Sequence, residues 1–314
     1  MAEREMRAVY AQTLTALAAS DPRVCVVEAD LARATGTGAF AKVWPGRFFN
    51  VGVAEANLVG VASGLAATGK RPFAATFGCF ASRRAYDQFF LSANYAGLEV
   101  VLVGTDPGVT AAYNGGTHMP FEDLALMRAV PRLAIVEPAD PVSLEAAVRL
   151  ALERRGCTYL RLQRKPAPEL YPAGEVFEFG KSKLLRPGKD VLLAALGALM
   201  VGQALAATEA LAAEGIEAAV LDVFTLAPLD RRLILQLARA TGRVVTCENH
   251  RVTGGLGSAV AELLAEEGVP ARLRRIGAGA DEFGEVGSQD WLADRFHLTA
   301  PHIAAAARDL MKGA

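Results

Sequence analysis

Apolar and polar positions follow two alternating rhythms along this chain. Short apolar runs rich in valine, isoleucine and leucine recur between longer stretches with helical spacing. In the first half the runs predict strands at Val24–Glu28, Pro72–Phe77, Glu99–Gly104, Leu133–Val136 and Tyr159–Leu162. Runs with so little alternation fit strands buried on both faces of a parallel sheet. A helix is predicted over Ala54–Thr68, where Leu58, Val61, Ala62 and Leu65 share a face and Gly69 takes the C′ position. Asp140 and Pro141 read as an N-cap followed by proline at the first helical position, opening a helix to about Arg155.

The rhythm lapses over Gln163–Gly188, where Pro166, Pro168, Pro172, Gly174, Gly180, Pro187 and Gly188 interrupt any periodicity. It resumes with strands predicted at Asp190–Leu196, Ile216–Leu221, Val244–Cys247 and Leu273–Ile276. Helices are predicted at Leu199–Ala213, Arg231–Ala240, Ser258–Glu267 and Pro301–Met311. The expected fold class is α/β, in two doubly wound domains with mainly parallel sheets. The expected division is a first domain at 1–165, a linker at 166–188 and a second domain at 189–314. Such folds host many chemistries, so periodicity alone names no reaction.

Composition narrows the classes. The 314 residues are 52% hydrophobic, enough for a substantial core. The formal charge is −1 with acids and bases interleaved, which argues against a nucleic-acid groove or an anionic membrane as the main partner. No apolar run reaches the roughly 18 residues of a membrane span. The opening MAEREMRAVYAQ is patterned as a charged amphipathic helix rather than a signal peptide. Cys25, Cys79, Cys157 and Cys247 stand apart, with no CxxC, and read as reduced core residues of a cytoplasmic protein.

Chemistry enters with six blocks of sequence. They are RFFNVGVAEANL at 47–58, PFAATFGCFASRRAYDQ at 72–88, GGTHMPFEDLALMRAVP at 115–131, EPAD at 137–140, YLRLQR at 159–164 and CENHRVTGGLGSAVAE at 247–262. In order and spacing they resemble the transketolase family, over its second and third domains only. The resemblance implies a thiamine-diphosphate pyrimidine-binding domain followed by a transketolase C-terminal domain. The family's first domain, which binds the diphosphate through a divalent metal with a Gly-Asp-Gly segment, has no counterpart here. Another polypeptide, an N-terminal transketolase subunit, is therefore expected to supply it together with Mg2+ or Ca2+, and this chain is expected to hold no metal. The assembly implied is a heterotetramer of two large and two small subunits.

The resemblance assigns roles residue by residue. Glu55 matches the catalytic glutamate. Thiamine chemistry needs a carbanion formed when the cofactor's own imino group removes a proton, and a poorly solvated carboxyl on the N1′ ring nitrogen favours that imino form. By position alone Glu55 would read as a helix N-terminal acid stabilised by the dipole. Phe77 and Phe80 match the aromatic walls of the pyrimidine pocket, where core packing is the plainer reading. Val53 matches the aliphatic residue under the bridge between the cofactor rings, and Asp30 matches an aspartate near the thiazolium. His118 matches a histidine that binds the donor's terminal hydroxyl and carbonyl-derived oxygen, and it follows a Gly-Gly-Thr loop. Arg164 matches an arginine that grips the sugar phosphate, although it also reads as a surface arginine entering a linker.

Three positions depart from the family pattern. Asn114 stands where most transketolases carry a substrate-reading aspartate. Asp106 replaces a usual histidine and agrees instead with the related deoxyxylulose-phosphate synthase. Ala34 replaces a serine of the phosphate-gripping loop. The cofactor half of the expected site, Glu55, Val53, Phe77, Phe80 and Asp30, is thus closer to the pattern than the substrate half, His118, Asn114, Asp106 and Arg164. The leading expectation is transfer of a two-carbon ketol unit between sugar phosphates. A synthase-like or unusual-sugar thiamine enzyme, the beta subunit of a 2-oxoacid dehydrogenase and a non-catalytic paralogue are the alternatives. The C-terminal half carries no comparable chemistry. There Glu248, Asn249 and His250 read as a strand–turn–helix joint, and His297 and His302 as structural.

Overall fold

The computed structural model describes residues 3–279 and 281–312. Strands in chain order are β1 Glu3–Glu5, β2 Val24–Glu28, β3 Phe48–Asn50, β4 Arg71–Phe77, β5 Val101–Thr105, β6 Ala134–Val136 and β7 Thr158–Leu162. They continue with β8 Pro166–Pro168, β9 Lys183–Arg186, β10 Val191–Leu196, β11 Ala218–Asp222, β12 Thr225–Ala227, β13 Arg243–Arg251 and β14 Arg272–Ala278. The first sheet has seven strands in the order β12-β6-β7-β5-β4-β2-β3, parallel except for β12. The second has five strands in the order β14-β13-β10-β11-β9, parallel except for β9. Every residue of β2, β5, β7 and β10 is buried, as continuous apolar strands covered on both faces require.

Helices flank both sheets. The helix Glu55–Ala67 buries Leu58, Val59 and Ala62 against β4 and the following helices. The helix Pro141–Glu153 opens on a complete capping box. Ser143 N–H donates to Asp140 at 2.7 Å, and the Asp140 N–H donates to the Ser143 hydroxyl at 3.0 Å. All four cysteines are buried and unpaired. Among the described residues no helix is long and apolar enough to cross a membrane, and no group of three or more His, Cys, Asp or Glu converges as a metal site would need.

Four features differ from the sequence reading. The N-terminal helix starts at Met6, because Glu3–Glu5 pairs antiparallel with Pro166–Pro168. The stretch expected to be a linker thereby contributes β8 to that ribbon, and it contributes β9 to the second sheet. β13 runs on to Arg251 through Glu248, Asn249 and His250, all buried, so the polar residues read as a joint lie inside a strand. Finally, Thr225–Ala227 pairs with β6 and so lends a strand from the second half of the chain to the first sheet. Both halves also meet at Arg161, which is fully buried. It pairs with Asp123 at 2.7 Å and Glu137 at 2.9 Å and donates to the Asn249 carbonyl at 2.9 Å. A guanidinium so deeply placed requires such complete pairing.

Candidate active site

The carboxyl ends of parallel strands are where open α/β sheets bind ligands. Here five such ends lie side by side, since Glu28 is in register with Asn50 and Ala75, Phe77 with Thr105, and Thr105 with Leu162. The segments leaving them carry Asp30, Val53, Phe77, Asp106 and Arg164. The fold thus gathers residues spread over more than a hundred positions of sequence onto one edge.

Glu55 opens its helix with a side chain only 1% exposed, and its Oε2 accepts from Arg84 Nη1 at 2.8 Å. The Arg84 guanidinium lies 4.2 Å from the centre of the Phe80 ring. Phe80 is 6.0 Å from Phe77, and His118 stands edge-on to both at 5.2 and 5.7 Å. Arg164 covers the other end of the group, 5.2 Å from the Phe77 ring. Glu55, Arg84, Phe80, Phe77, His118 and Arg164 therefore form one connected set, in which the rings of Phe77, Phe80 and His118 pack on one another. Thr117 Oγ1 lies 2.9 Å from His118 Nδ1, and Arg83 donates to the carbonyls of Thr117 and Met119 and pairs with Glu122. The loop of His118 is thus tied to the helix that presents Phe80.

Asp106 is buried and bonded to Arg164, with Nε at 2.6 Å from Oδ2 and 2.7 Å from Oδ1. Burial pushes the Asp106 carboxyl above its ordinary range, against the opposing pull of Arg164. Asp30 is exposed, at a positive φ of 63°, and is held by Asn50, which donates to Asp30 Oδ1 at 3.1 Å and accepts from its N–H at 3.0 Å. Asn50 also accepts from Gly52 N at 3.1 Å, so one side chain links the loop of Asp30 to that of Val53. Val53 is 72% exposed and Asn114 is exposed; neither lies within the aromatic set.

Sequence reasoning did not single out three residues that belong here. Arg84 was available only as part of a block, although an arginine four positions after Phe80 on one helical face was a usable signal. Arg7 and Arg33 line a surface cavity of about 310 Å³ together with Asp30, Leu31, Ala34 and Arg164. The backbone of that cavity is fixed from beneath by Glu28, whose Oε1 accepts from the Thr35 and Thr37 hydroxyls at 2.5 and 2.6 Å. Burial pushes the Glu28 carboxyl up to about 7 despite these bonds.

A thiamine-type aminopyrimidine needs a flat apolar slot ending in a poorly solvated carboxylate that can take a ring N–H. The residues fit that requirement. The planar cation of Arg84, stacked on Phe80 and donating to Glu55, already makes both contacts such a ring would make.

Residues 2–169 match the family described as transketolase, pyrimidine binding domain, and residues 180–303 match transketolase, C-terminal domain. The chain is 48% identical over 308 residues to the 6-deoxy-6-sulfo-D-fructose transketolase subunit SqwH of Clostridium sp. (strain MSTE9), covering 98% of this chain and 95% of that one. It is 40% identical over 304 residues to a 1-deoxy-D-xylulose-5-phosphate synthase of Heliobacterium modesticaldum (strain ATCC 51547 / Ice1), covering 96% of this chain but 46% of the synthase. A solved split-gene transketolase, described as an inactive beta4 tetramer, superposes with a TM-score of 0.90 at 42% identity, covering 98% of each chain.

Proposed function

Because the chain belongs to the transketolase family, as a subunit of the split kind, we propose that it transfers a two-carbon ketol unit between anionic sugars with thiamine diphosphate, jointly with an N-terminal subunit. The observation that carries this reading is Glu55, 1% exposed and joined through Arg84 to the aromatic group of Phe80, Phe77 and His118. When bound, thiamine diphosphate supplies a nucleophilic carbon at which a carbon–carbon bond beside a ketone is broken and remade. Glu55 holds a proton against the ring nitrogen, and its burial keeps water from competing for that bond. Phe77 and Phe80 would exclude water from the ring, and Val53 and Asp30, by their match to the family pattern, would flank the cofactor. His118 donates to a donor oxygen, Asn114 reads a hydroxyl, and Arg164, set by Asp106, grips the anionic end.

That end is a tetrahedral oxyanion, a phosphate or a sulfonate. Arg7, Arg33 and Arg164 around Ala34 suit either, and the relative from Clostridium is named for a sulfonated fructose. The diphosphate and its Mg2+ or Ca2+ belong to the partner in this reading, and the working assembly is a heterotetramer. The described beta4 state of a similar chain, recorded as inactive, supports a need for that partner. The division at 1–165, 166–188 and 189–314 is part of the same proposal.

The test is reconstitution. This chain alone should show no ketol transfer, and mixing with an N-terminal transketolase subunit should give cofactor-dependent turnover of fructose 6-phosphate or 6-deoxy-6-sulfofructose. Full turnover by the chain alone would refute the split arrangement. A second reading, synthase-like chemistry on pyruvate, is favoured by Asp106 and by the similar synthase. Offering pyruvate and a ketose as competing donors separates the two.

A further inference from the structure

The segment 107–118 carries Asn114 and His118, follows directly on Asp106, and is gripped at both ends by the C-terminal half of the chain. At its base, Asn249 from β13 is 2% exposed. Its Nδ2 donates to the Pro107 carbonyl at 2.7 Å and its Oδ1 accepts from Val109 N at 3.0 Å. At its tip, Gly115 and Gly116 lie against the stretch 281–287. A Cβ on Gly284 would fall 2.6 Å from the Gly116 Cα and 2.5 Å from Met119 Sδ. A Cβ on Gly115 would fall 2.9 Å from Val286 Cγ2.

That stretch is itself fastened to the same half. Arg251 donates to the carbonyls of Gly279 at 2.7 Å and Glu282 at 3.0 Å, and Arg295 pairs with Glu285 at 2.9 Å. Arg251 in turn donates its own N–H to Phe121 at 2.9 Å, three residues beyond His118. Between the two grips, Ala112 holds φ 49° and ψ −122°, a conformation that a non-glycine residue keeps only where its surroundings enforce it.

We infer that Asn249 and Gly284 are positioning residues for donor recognition: the C-terminal half is the mould that fixes the loop presenting Asn114 and His118. This rests on the ketol-transfer reading and adds to it a share of the site from the half that carries no contact of its own. Glu55, Phe77 and Phe80 lie on other segments and meet this loop only through His118 and Arg83, so donor binding should suffer more than cofactor binding. Orientation is costly to lose, since a misplacement of about 1 Å can lower a rate about a hundredfold.

The experiment uses Gly284→Ala, Asn249→Ala and Asn249→Asp, which keeps the acceptor for Val109 but turns a buried carboxylate oxygen on the Pro107 carbonyl in place of the donor. Amide hydrogen exchange is read on the full chain. The KM for fructose 6-phosphate, kcat and thiamine diphosphate affinity are read on the reconstituted enzyme. The expected result is exchange about tenfold faster within 107–118 and a donor KM raised about tenfold or more. Cofactor affinity should change several-fold less than the donor KM, and Asn249→Asp should perturb the loop at least as much as Asn249→Ala. Unchanged exchange, an unchanged donor KM, or a loss of donor and cofactor binding in equal measure overturns the inference. Gly284→Ala keeps the test open if the Asn249 variants fail to fold, and Asn249→Ala keeps it open if Gly284→Ala does. No ketol transfer by the unsubstituted pair would count against the reaction instead, and exchange on the chain alone would then decide whether the mould exists.

Discussion

Arg84 donates to the buried carboxylate of Glu55 at 2.8 Å while half of its own side chain stays exposed. Its guanidinium also rests 4.2 Å from the Phe80 ring, so a protein group makes the two contacts that the proposed cofactor ring would make. Binding of that ring must then displace an ion pair and a cation–π contact.

Replacing Arg84 should therefore ease cofactor entry. A half-exposed ion pair is worth about 0.2–1 kcal/mol and the ring contact about 0.5–1 kcal/mol, together roughly a three- to thirtyfold effect. Arg84→Met should tighten thiamine diphosphate binding in the reconstituted enzyme by about that factor, read by titrating the cofactor's circular-dichroism or fluorescence signal. Weaker binding would mean that Arg84 holds the cofactor rather than its place.

Glu55→Ala should lower turnover of the reconstituted enzyme about a hundred- to ten-thousandfold, the usual reach of a positioned proton-transfer group. The fold should survive, because the side chain's ion pair is to a half-exposed arginine. Melting temperature and partner binding would be measured alongside the rate. Unchanged turnover would favour a non-catalytic subunit.

Arg164→Met should raise the KM for an anionic donor by about ten- to a hundredfold, as expected for a charged hydrogen bond of about 1.5–3 kcal/mol. Free fructose, lacking the anion, should lose much less. Arg164→Lys should recover little, since the guanidinium meets both Asp106 oxygens and the ring of Phe77. Equal losses with charged and neutral donors would place Arg164 outside the anion's reach.

Glu28→Gln should stabilise the chain increasingly as pH rises from 5 to 8. Burial lifts the folded-state carboxyl to about 7 from an ordinary value of 4.5. Between those values the folded chain binds more protons than the unfolded one, so its stability falls with rising pH. Glutamine keeps an acceptor for Thr35 and Thr37 without that ionisation, and the gain at pH 8 should be on the order of 1–3 kcal/mol. Urea melts at pH 5 and pH 8 give the comparison, and a gap that does not widen with pH would overturn the assignment.

Much of the fold is legible in the pattern of apolar runs. Val24–Glu28 matches its strand end to end, and the Asp140–Pro141 signal forms the cap it implies, because each is settled within its own few residues. What escaped depends on distant partners. Glu248, Asn249 and His250 look like a turn until their buried partners are seen: the Leu256 and Gly257 N–H groups for Glu248, Arg161, Pro107 and Val109 for Asn249, and the Ala125 N–H and Arg251 carbonyl for His250. Among the candidate site residues, Glu55, Phe77, Phe80, His118 and Arg164 lie in motif blocks and Asp106 between them, and Phe77, Phe80, His118, Arg164 and Asp106 meet in space, with Glu55 joined through Arg84. Arg84 carries only its i,i+4 spacing from Phe80, and Arg7 and Arg33 carry no spacing rule of their own, because a surface arginine looks like any other until it is seen what it faces. Val53 and Asn114 remain open to solvent, where a partner's surface would be needed to give them work.

The three residues of β12 make the two halves unequal tenants of one wall. Cut away everything after residue 188 and the backbone of Ala134–Val136 loses its outer neighbour, leaving donors and acceptors facing water along an apolar border. Such a fragment would stick to its own copies, so dissecting this subunit into working pieces calls for carrying Thr225–Ala227 along or blunting that border with charge.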